Sequence, residues 1–242
     1  IVLTGIHLSA WGADFENPQG LDHLLQSLID QVPRVRFRLS SVEPDLFPSN
    51  IFELMRRYPQ RLCPHLHLVI QHASDKILER MHRGYDLAHY QRLVDEFIST
   101  VPLACLTTDV MVGFPGETDE DFAILMKYLR RTPFYHLHVF PYSVRPGTAA
   151  ARFGDQVDAT VKNRRRDLLL QLNERKRRAF QCSMRGKTLS VLVEELAPQA
   201  GWVVGRAQNF VQVQVRGGPA RLGHTIAVEV SRNRGQFCVG VG

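Results

Sequence analysis

No uninterrupted run of 18 apolar residues occurs in the 242-residue chain, so no segment reads as a membrane-spanning helix and no membrane partner is expected. Cysteine is scarce too. Cys63, Cys105, Cys182 and Cys238 are the whole complement, and none forms a CxxC or CxxxC pair. That spacing removes the local clips that hold zinc or an iron–sulfur cluster, so no metal ligand is assigned within the chain. A disulfide framework does not suit a chain of this size without an export signal, and the four read as buried or half-buried thiols. The start "IVLTGIHL" has neither Met nor a basic leader, as though a strand had been cut open. The expectation is a fragment of a longer, soluble, cytoplasmic protein.

Acids are thin in one region. Residues 162–187 hold ten Lys or Arg against two acids, giving +8, whereas residues 188–242 carry +2 and the first 161 residues carry −4. A basic segment and tail on an acidic body suit a polyanion such as RNA, and a solvated helix face would share the same composition.

Apolar runs alternate with helical patterns up to residue 150. "IVLTG" (1–5), "VRFRLSS" (35–41), "HLHLVIQ" (65–71), "CLTTDVMVG" (105–113) and "YHLHVFPYS" (135–143) read as strands. Between them, Leu21, Leu24, Leu25, Leu28 and Val32 form one helical stripe, and Leu87, Tyr90, Leu93, Val94 and Phe97 form another. "TDEDFAILMKYLRR" offers Thr118 as an N-cap, acids in its first turn and two arginines in its last. This βαβα rhythm predicts an α/β fold of parallel strands with helical crossovers, five strands of an incomplete (β/α) barrel over residues 1–157.

A long basic helix is expected over 158–185, with Leu168, Leu169 and Leu172 on one side. Beyond it, "LSVLVEEL", "GWVVGRA", "FVQVQVR", "TIAVEVSR" and "QFCVGVG" are short, alternating and separated by glycine-containing turns. They predict a small antiparallel β-barrel over 186–242.

In parallel α/β folds ligand groups gather at the C-terminal ends of strands. Those ends offer Gly5 and His7; Ser40, Ser41 and Glu43; Gln71 and, twelve residues on, Arg83; Asp109 within its strand and the turn Gly113–Glu117 at its end; and Tyr142, Ser143 and Arg145. Two acids, an amide and an arginine on one rim suit a zwitterionic ligand that carries a ribose. Carboxylates accept from hydroxyls and an ammonium, and Arg grips a carboxylate bidentately. Each residue singly also fits an ordinary loop or strand-end position. His65, His67, His136 and His138 alternate along two strands and could chelate, but no further ligand is fixed by spacing, and they read as structural.

The ordered motifs "LTGIHLSAWG", "RFRLSSVEP", "LHLVIQHASDKILERMHRGYD", "TTDVMVGFPGETDEDF" and "HVFPYSVRPGTAAA" together resemble the radical S-adenosylmethionine methylthiotransferases, the MiaB/RimO/MtaB family. The resemblance runs over essentially the whole chain, and its last 55 residues resemble that family's TRAM domain. "LTGIHL", "RLSSVEP" and "HLHLVIQ" are most similar to the MtaB-type branch, which methylthiolates threonylcarbamoyladenosine beside the anticodon of tRNA.

The resemblance implies S-adenosylmethionine as cofactor, with a radical formed at a reduced [4Fe-4S] cluster and a second cluster supporting sulfur insertion. It would place Gly5 by the methionine amino end. Glu43, Gln71, Arg83 and Asp109 would hold the methionine and ribose parts, with Ser41 and Tyr142 on the same rim. Gly113, Pro115 and Gly116 would shape the adenine side. It also implies a tRNA anticodon arm gripped by the basic helix and the TRAM-like barrel.

The family's CxxxCxxC loop and its N-terminal domain are not in these residues. The expectation is that both cluster sites lie upstream of Ile1 and that this chain alone is inactive. "QHASD" stands where many relatives read "QSGSD" or "QSGCD", and Ala149 where Pro is frequent. Modification of a ribosomal protein, as in the RimO branch, and a non-catalytic RNA-binding module are the rival readings.

Overall fold

The structure, a computed structural model, describes residues 1–235 and 237–242. Gln236, the first residue of the expected strand "QFCVGVG", lies outside the described residues. Through the first two thirds of the chain, apolar strand residues alternate with amphipathic helices and form a parallel arc. β1 (Val2–Leu3) pairs with β2 (Arg38–Leu39), and β3 (Ser41–Val42), β4 (His65–Leu68), β5 (Cys105–Val112) and β6 (Phe134–Pro141) follow in that order, all parallel. β2 and β3 are two halves of one extended stretch. Its first half bonds to residues 1–3, and Val42 accepts from Val69 beyond β4.

Helices cover one face of this arc: α1 (Leu21–Gln31), α2 (Asn50–Arg57), α3 (Asp75–Arg80), α4 (Leu87–Thr100) and α5 (Asp119–Arg131). Leu66, Leu68, Leu106, Val110 and Val112 point from the strands into a shared core with Leu25, Ile51, Tyr90, Phe97 and Leu125. The alternate strand residues, His65, His67, Thr107 and Asp109, therefore face the other way, into the concave side of the arc. The expected stripes on α1 and α4 are buried at Leu21, Leu25, Tyr90, Leu93, Val94 and Phe97, whereas Val32 ends its helix exposed. Thr118 caps α5 through a full capping box with Asp121.

α6 (Ala159–Ser183) is the expected long helix, but it is not a free linker. Arg165, Leu169, Leu172 and Asn173 are buried, and Asn173 Oδ1 accepts from the Leu137 N–H of β6 at 2.8 Å. Leu168 is 40% exposed, because one residue's turn of about 100° carries it off the face that Leu169 and Leu172 share.

β7 (Thr188–Leu196), β8 (Trp202–Ala207), β9 (Gln212–Arg216), β10 (Thr225–Arg234) and β11 (Phe237–Val241) close into a barrel. Four pairings are antiparallel, and the fifth, β9 with β11, is parallel. An odd number of strands cannot alternate direction all the way round a closed ring, so one parallel pairing is unavoidable. The barrel's apolar core continues into the α/β body through Cys105 and Tyr135. Polar ties add to it: Arg36 Nη2 donates to Ser190 Oγ at 3.0 Å, and Arg38 Nη2 donates to the carbonyls of Ala207 and Gln208 at 3.3 Å.

Candidate functional site

The rim at the strand ends brings together residues that are remote in sequence. Glu43 follows β3, and its carboxylate accepts twice from Arg83 Nη1, at 3.1 Å to each oxygen. Glu43 is also fixed through its backbone, whose carbonyl accepts from Ser9 Oγ at 2.7 Å. Arg83 reaches the rim because the chain after α3 turns sharply at His82, which holds a positive φ of 53°. Gln71 too is left-handed, with φ 57°, and its backbone continues the β4 side of the sheet by bonding Asp109 and Met111 of β5. A side chain at such a backbone position carries strain of about 1–3 kcal/mol, which the fold sustains where it aims a functional group. Gln71 Oε1 and Arg83 Nε are buried and lack a partner among the described residues. Unused acceptor and donor capacity beside a carboxylate–guanidinium pair fits a ligand carrying an ammonium, a carboxylate and hydroxyls.

Below the rim, the concave face is a polar lumen. His67 Nε2 meets Asp109 Oδ1 at 3.1 Å, His67 Nδ1 meets Thr107 Oγ1 at 2.9 Å, and His65 Nε2 meets the same hydroxyl at 3.0 Å. With one proton on each ring, a single direction satisfies the chain: His65 donates to Thr107, Thr107 to His67, and His67 to Asp109. His136 and His138 lie edge to face at 4.3 Å, and burial lowers the basicity of both, that of His136 to about 4. Burial pushes His65 well below its ordinary value as well. Its ring stacks on Phe210 of the small barrel at 4.3 Å, so a residue after β8 closes the floor of the lumen. A cavity of about 340 Å³ is lined here by Ser41, His67, Asp109, His138, Arg38 and Phe210. Among the described residues no group of three or more His, Cys, Asp or Glu is arranged to hold a metal ion.

The turn "GFPGET" is tied to the interior. Gly113 donates its N–H to Glu117 Oε2, and Glu117 Oε1 accepts from Arg165 Nη1 of α6 at 2.8 Å, both side chains being almost fully buried. Burial raises the pKa of Glu117, against the pull of Arg165. His72 is fully buried, and its Nδ1 accepts from the Ser74 N–H at 2.9 Å. The ring proton therefore sits on Nε2, which lies 3.9 Å from Glu117, and burial lowers His72 to about 4.

Gly113 and Gly116, expected to shape the adenine side, are closely packed by the chain's own side chains. A Cβ on Gly113 would strike the Lys162 side chain at 2.1 Å, and one on Gly116 would strike Asp155 and Arg80 at 2.7 and 2.8 Å. Both have positive φ, 73° and 85°, so glycine answers turn geometry and internal packing. The Pro115 carbonyl accepts from Arg80 Nε at 3.2 Å. Tyr142 is buried against Phe114, with ring centroids 5.3 Å apart, and its hydroxyl has no partner among the described residues. Gly5 is exposed, ahead of the 3-10 turn Leu8–Ala10, and Ser41 is exposed on β3.

The sequence reading passed over Arg38, Phe210 and Arg165. Arg38 had one visible signal, a cation within the strand "RFRL"; Phe210 and Arg165 had none, since their partners lie in distant elements.

Residues 6–129 match the family profile described as the radical SAM superfamily. The chain is 34% identical to the threonylcarbamoyladenosine tRNA methylthiotransferase MtaB of Bacillus subtilis (strain 168), over 98% of this chain and 54% of that protein. It is also 34% identical to the tRNA-2-methylthio-N(6)-dimethylallyladenosine synthase of Pelotomaculum thermopropionicum, over 100% of this chain and 54% of that protein. The chain thus spans about half the length of these curated relatives. Among solved structures, coproporphyrinogen III oxidase (HemN) from Escherichia coli, a radical SAM enzyme, superposes with a TM-score of 0.52 at 17% identity, over 64% of this chain and 36% of that one. With its parallel arc, its ligand-ready rim and a profile match across half its length, this chain belongs to the radical SAM superfamily.

Proposed function

We propose that this chain is the cofactor-binding and RNA-docking portion of a tRNA methylthiotransferase, adding a methylthio group to C2 of N6-threonylcarbamoyladenosine beside the anticodon. The observation that carries the reading is the rim: the Glu43–Arg83 pair and the Gln71 amide oxygen, without a partner among the described residues, held past successive strands, with Asp109 inside β5 just below them. S-adenosylmethionine fits that donor and acceptor set and supplies radical-forming chemistry when bound. Glu43 and Asp109 accept from its ammonium and ribose hydroxyls, Arg83 orients Glu43 and grips the methionine carboxylate, and Gln71 takes a further donor. Ser41 stands on the lumen side of the same rim, Gly5 on the methionine side, and the Gly113–Gly116 turn with Tyr142 backs the adenine side. The [4Fe-4S] clusters of the family do not fit the residues present: three cysteines are buried, one is exposed, and no metal-ligating group occurs among the described residues.

Residues 1–157 carry the cofactor, 158–185 form a basic helix seated on the α/β body, and 186–242 form a TRAM-like barrel. The exposed cations of that helix, Arg164, Arg175 and Arg178, together with Arg185 and Lys187 after it, hold the anticodon arm by its phosphates. The protein works in the cytoplasm, where tRNA is modified, and no helix of the described residues is long and apolar enough to cross a membrane.

The test is mass spectrometry of nucleosides in tRNA from cells lacking the gene. Loss of the 2-methylthio group, with N6-threonylcarbamoyladenosine accumulating, is expected. Unchanged tRNA together with loss of a methylthio group from a ribosomal protein would overturn the reading in favour of a RimO-type activity.

A further inference from the structure

Two relatives at the same 34% identity carry names with different substrates: threonylcarbamoyladenosine, whose N6 substituent ends in a carboxylate, and dimethylallyladenosine, whose substituent is an apolar branched chain. Overall identity does not choose between them. The lumen does.

Arg38 stands at the inner end of β2 and lines the cavity that also holds His67, Asp109 and His138. Its Nη2 is held by the Ala207 and Gln208 carbonyls, and the guanidinium lies 5.1 Å from the Phe210 ring centroid, so the head group is fixed in place from the barrel side. Its Nη1 has no acceptor among the described residues. The carboxylates nearby are already engaged: Asp109 with His67 at 3.1 Å, and Glu194 with Arg206 at 3.7 Å. Cys63 and Cys105, which also face Arg38, are held in the neutral thiol form by burial, and burial lowers the basicity of Arg38 itself. A largely buried guanidinium without a counter-ion is destabilising in an apolar pocket, where a hydrophobic side chain would serve an alkyl substituent better. The same group, pre-oriented and short of one anion, is what planar carboxylate recognition requires.

We propose that Arg38 recognises the free carboxylate of the amino acid carried on N6 of the substrate adenine, and so sets the preference for threonylcarbamoyl over dimethylallyl nucleosides. This rests on the tRNA methylthiotransferase reading above. The cavity of about 340 Å³ is large enough for the substituent, and Ser40 and His138 in its lining supply hydrogen-bond partners for its amide and hydroxyl groups. Phe210 forms the pocket's floor, so the small barrel completes a substrate site that the α/β arc alone leaves open.

The experiment uses the full-length holoprotein and two anticodon stem-loops, one carrying the threonylcarbamoyl acid and one its methyl ester, which removes the charge and keeps the shape. Binding affinity and kcat/KM are measured for wild type, Arg38→Met and Arg38→Gln; the amide of the last variant can still donate to Ala207 and Gln208. Wild type is expected to prefer the acid by about 10- to 100-fold, the worth of a charge-assisted hydrogen-bond pair. Both variants should lose that preference, the acid falling to the level of the ester while the ester is unchanged. If wild type treats acid and ester alike, or if the variants lower both equally, Arg38 is structural and the inference is overturned. A third stem-loop carrying dimethylallyladenosine separates the two levels: wild type acting on it and on neither threonylcarbamoyl substrate would mean that the proposed substrate itself is wrong.

Discussion

Replacing Arg165 by Met isolates the buried ion pair that ties the "GFPGET" turn to α6. Arg165 Nη1 donates to Glu117 Oε1 at 2.8 Å and to the Glu117 carbonyl at 3.2 Å, and Nη2 donates to Asp119 Oδ1 at 2.8 Å. The Asp119 contact adds little, because that carboxylate is 74% exposed and screened by water. Glu117 is different, since its side chain is fully buried. Without Arg165 it keeps the backbone N–H groups of Gly113 and Phe114 and the neutral ring of His72 at 3.9 Å, and no cation. Leaving one partner of a buried pair uncompensated destabilises by about 3–5 kcal/mol, or roughly 6–20 °C in Tm for a chain of this length. Met retains most of the apolar stem that packs near Phe122, so the loss reports charge more than volume.

The pH dependence has a definite sign. Burial raises the folded pKa of Glu117 above its ordinary 4.5, so its ionisation draws stability down as pH climbs through the window above that value. Removing Arg165 widens that window upward. The deficit of the variant should therefore be small near pH 5 and grow toward pH 8, as followed by urea denaturation with an unchanged m-value. Adding Glu117→Gln to Arg165→Met should recover much of the loss. A deficit below about 1 kcal/mol at pH 8, independent of pH, would refute the reasoning.

Two further outcomes follow from the geometry. Burial would raise the pKa of Asp121, but hydrogen bonds from Lys76, Thr118 and Ser74 hold it below its ordinary 3.8, so its stabilisation is present above that pH and fades as pH falls below it; Asp121→Asn should flatten that acid-side slope in a series of denaturation midpoints. Arg175 and Arg178 are exposed on α6, and changing both to Gln should reduce the slope of log affinity for tRNA against log salt by about 2, one for each phosphate contact, as read by filter binding across salt concentrations.

Much of the architecture was legible residue by residue. The helix stripes on α1 and α4, the Thr118 cap, the five apolar strand segments of the arc and the five short strands of the barrel follow from periodicity and punctuation, which are local properties. The rim residues Glu43 and Gln71 were legible for a related reason: in parallel sheets the strand ends converge, so residues just past each apolar run become neighbours wherever the fold is parallel.

What the linear pattern did not carry was decided by partners far away in the chain. Composition shows the ten cations of residues 162–187 but not that Arg165 is buried on Glu117, nor that Lys176 spends its ammonium on the Arg130 and Thr132 carbonyls. Glycine in "GFPG" is legible as a turn residue, but the close approach of Lys162, Arg80 and Asp155 to it is seen only in the tertiary packing. Arg38 and Gln208 meet across 170 residues of sequence, and the stacking of Phe210 on His65 depends on how the small barrel docks beneath the arc. Local propensity determines which segments become strands and helices, because those interactions span a few residues. The seating of the barrel and the charge left unpaired in the lumen are set by close packing between elements, and no window of sequence contains both sides of those contacts.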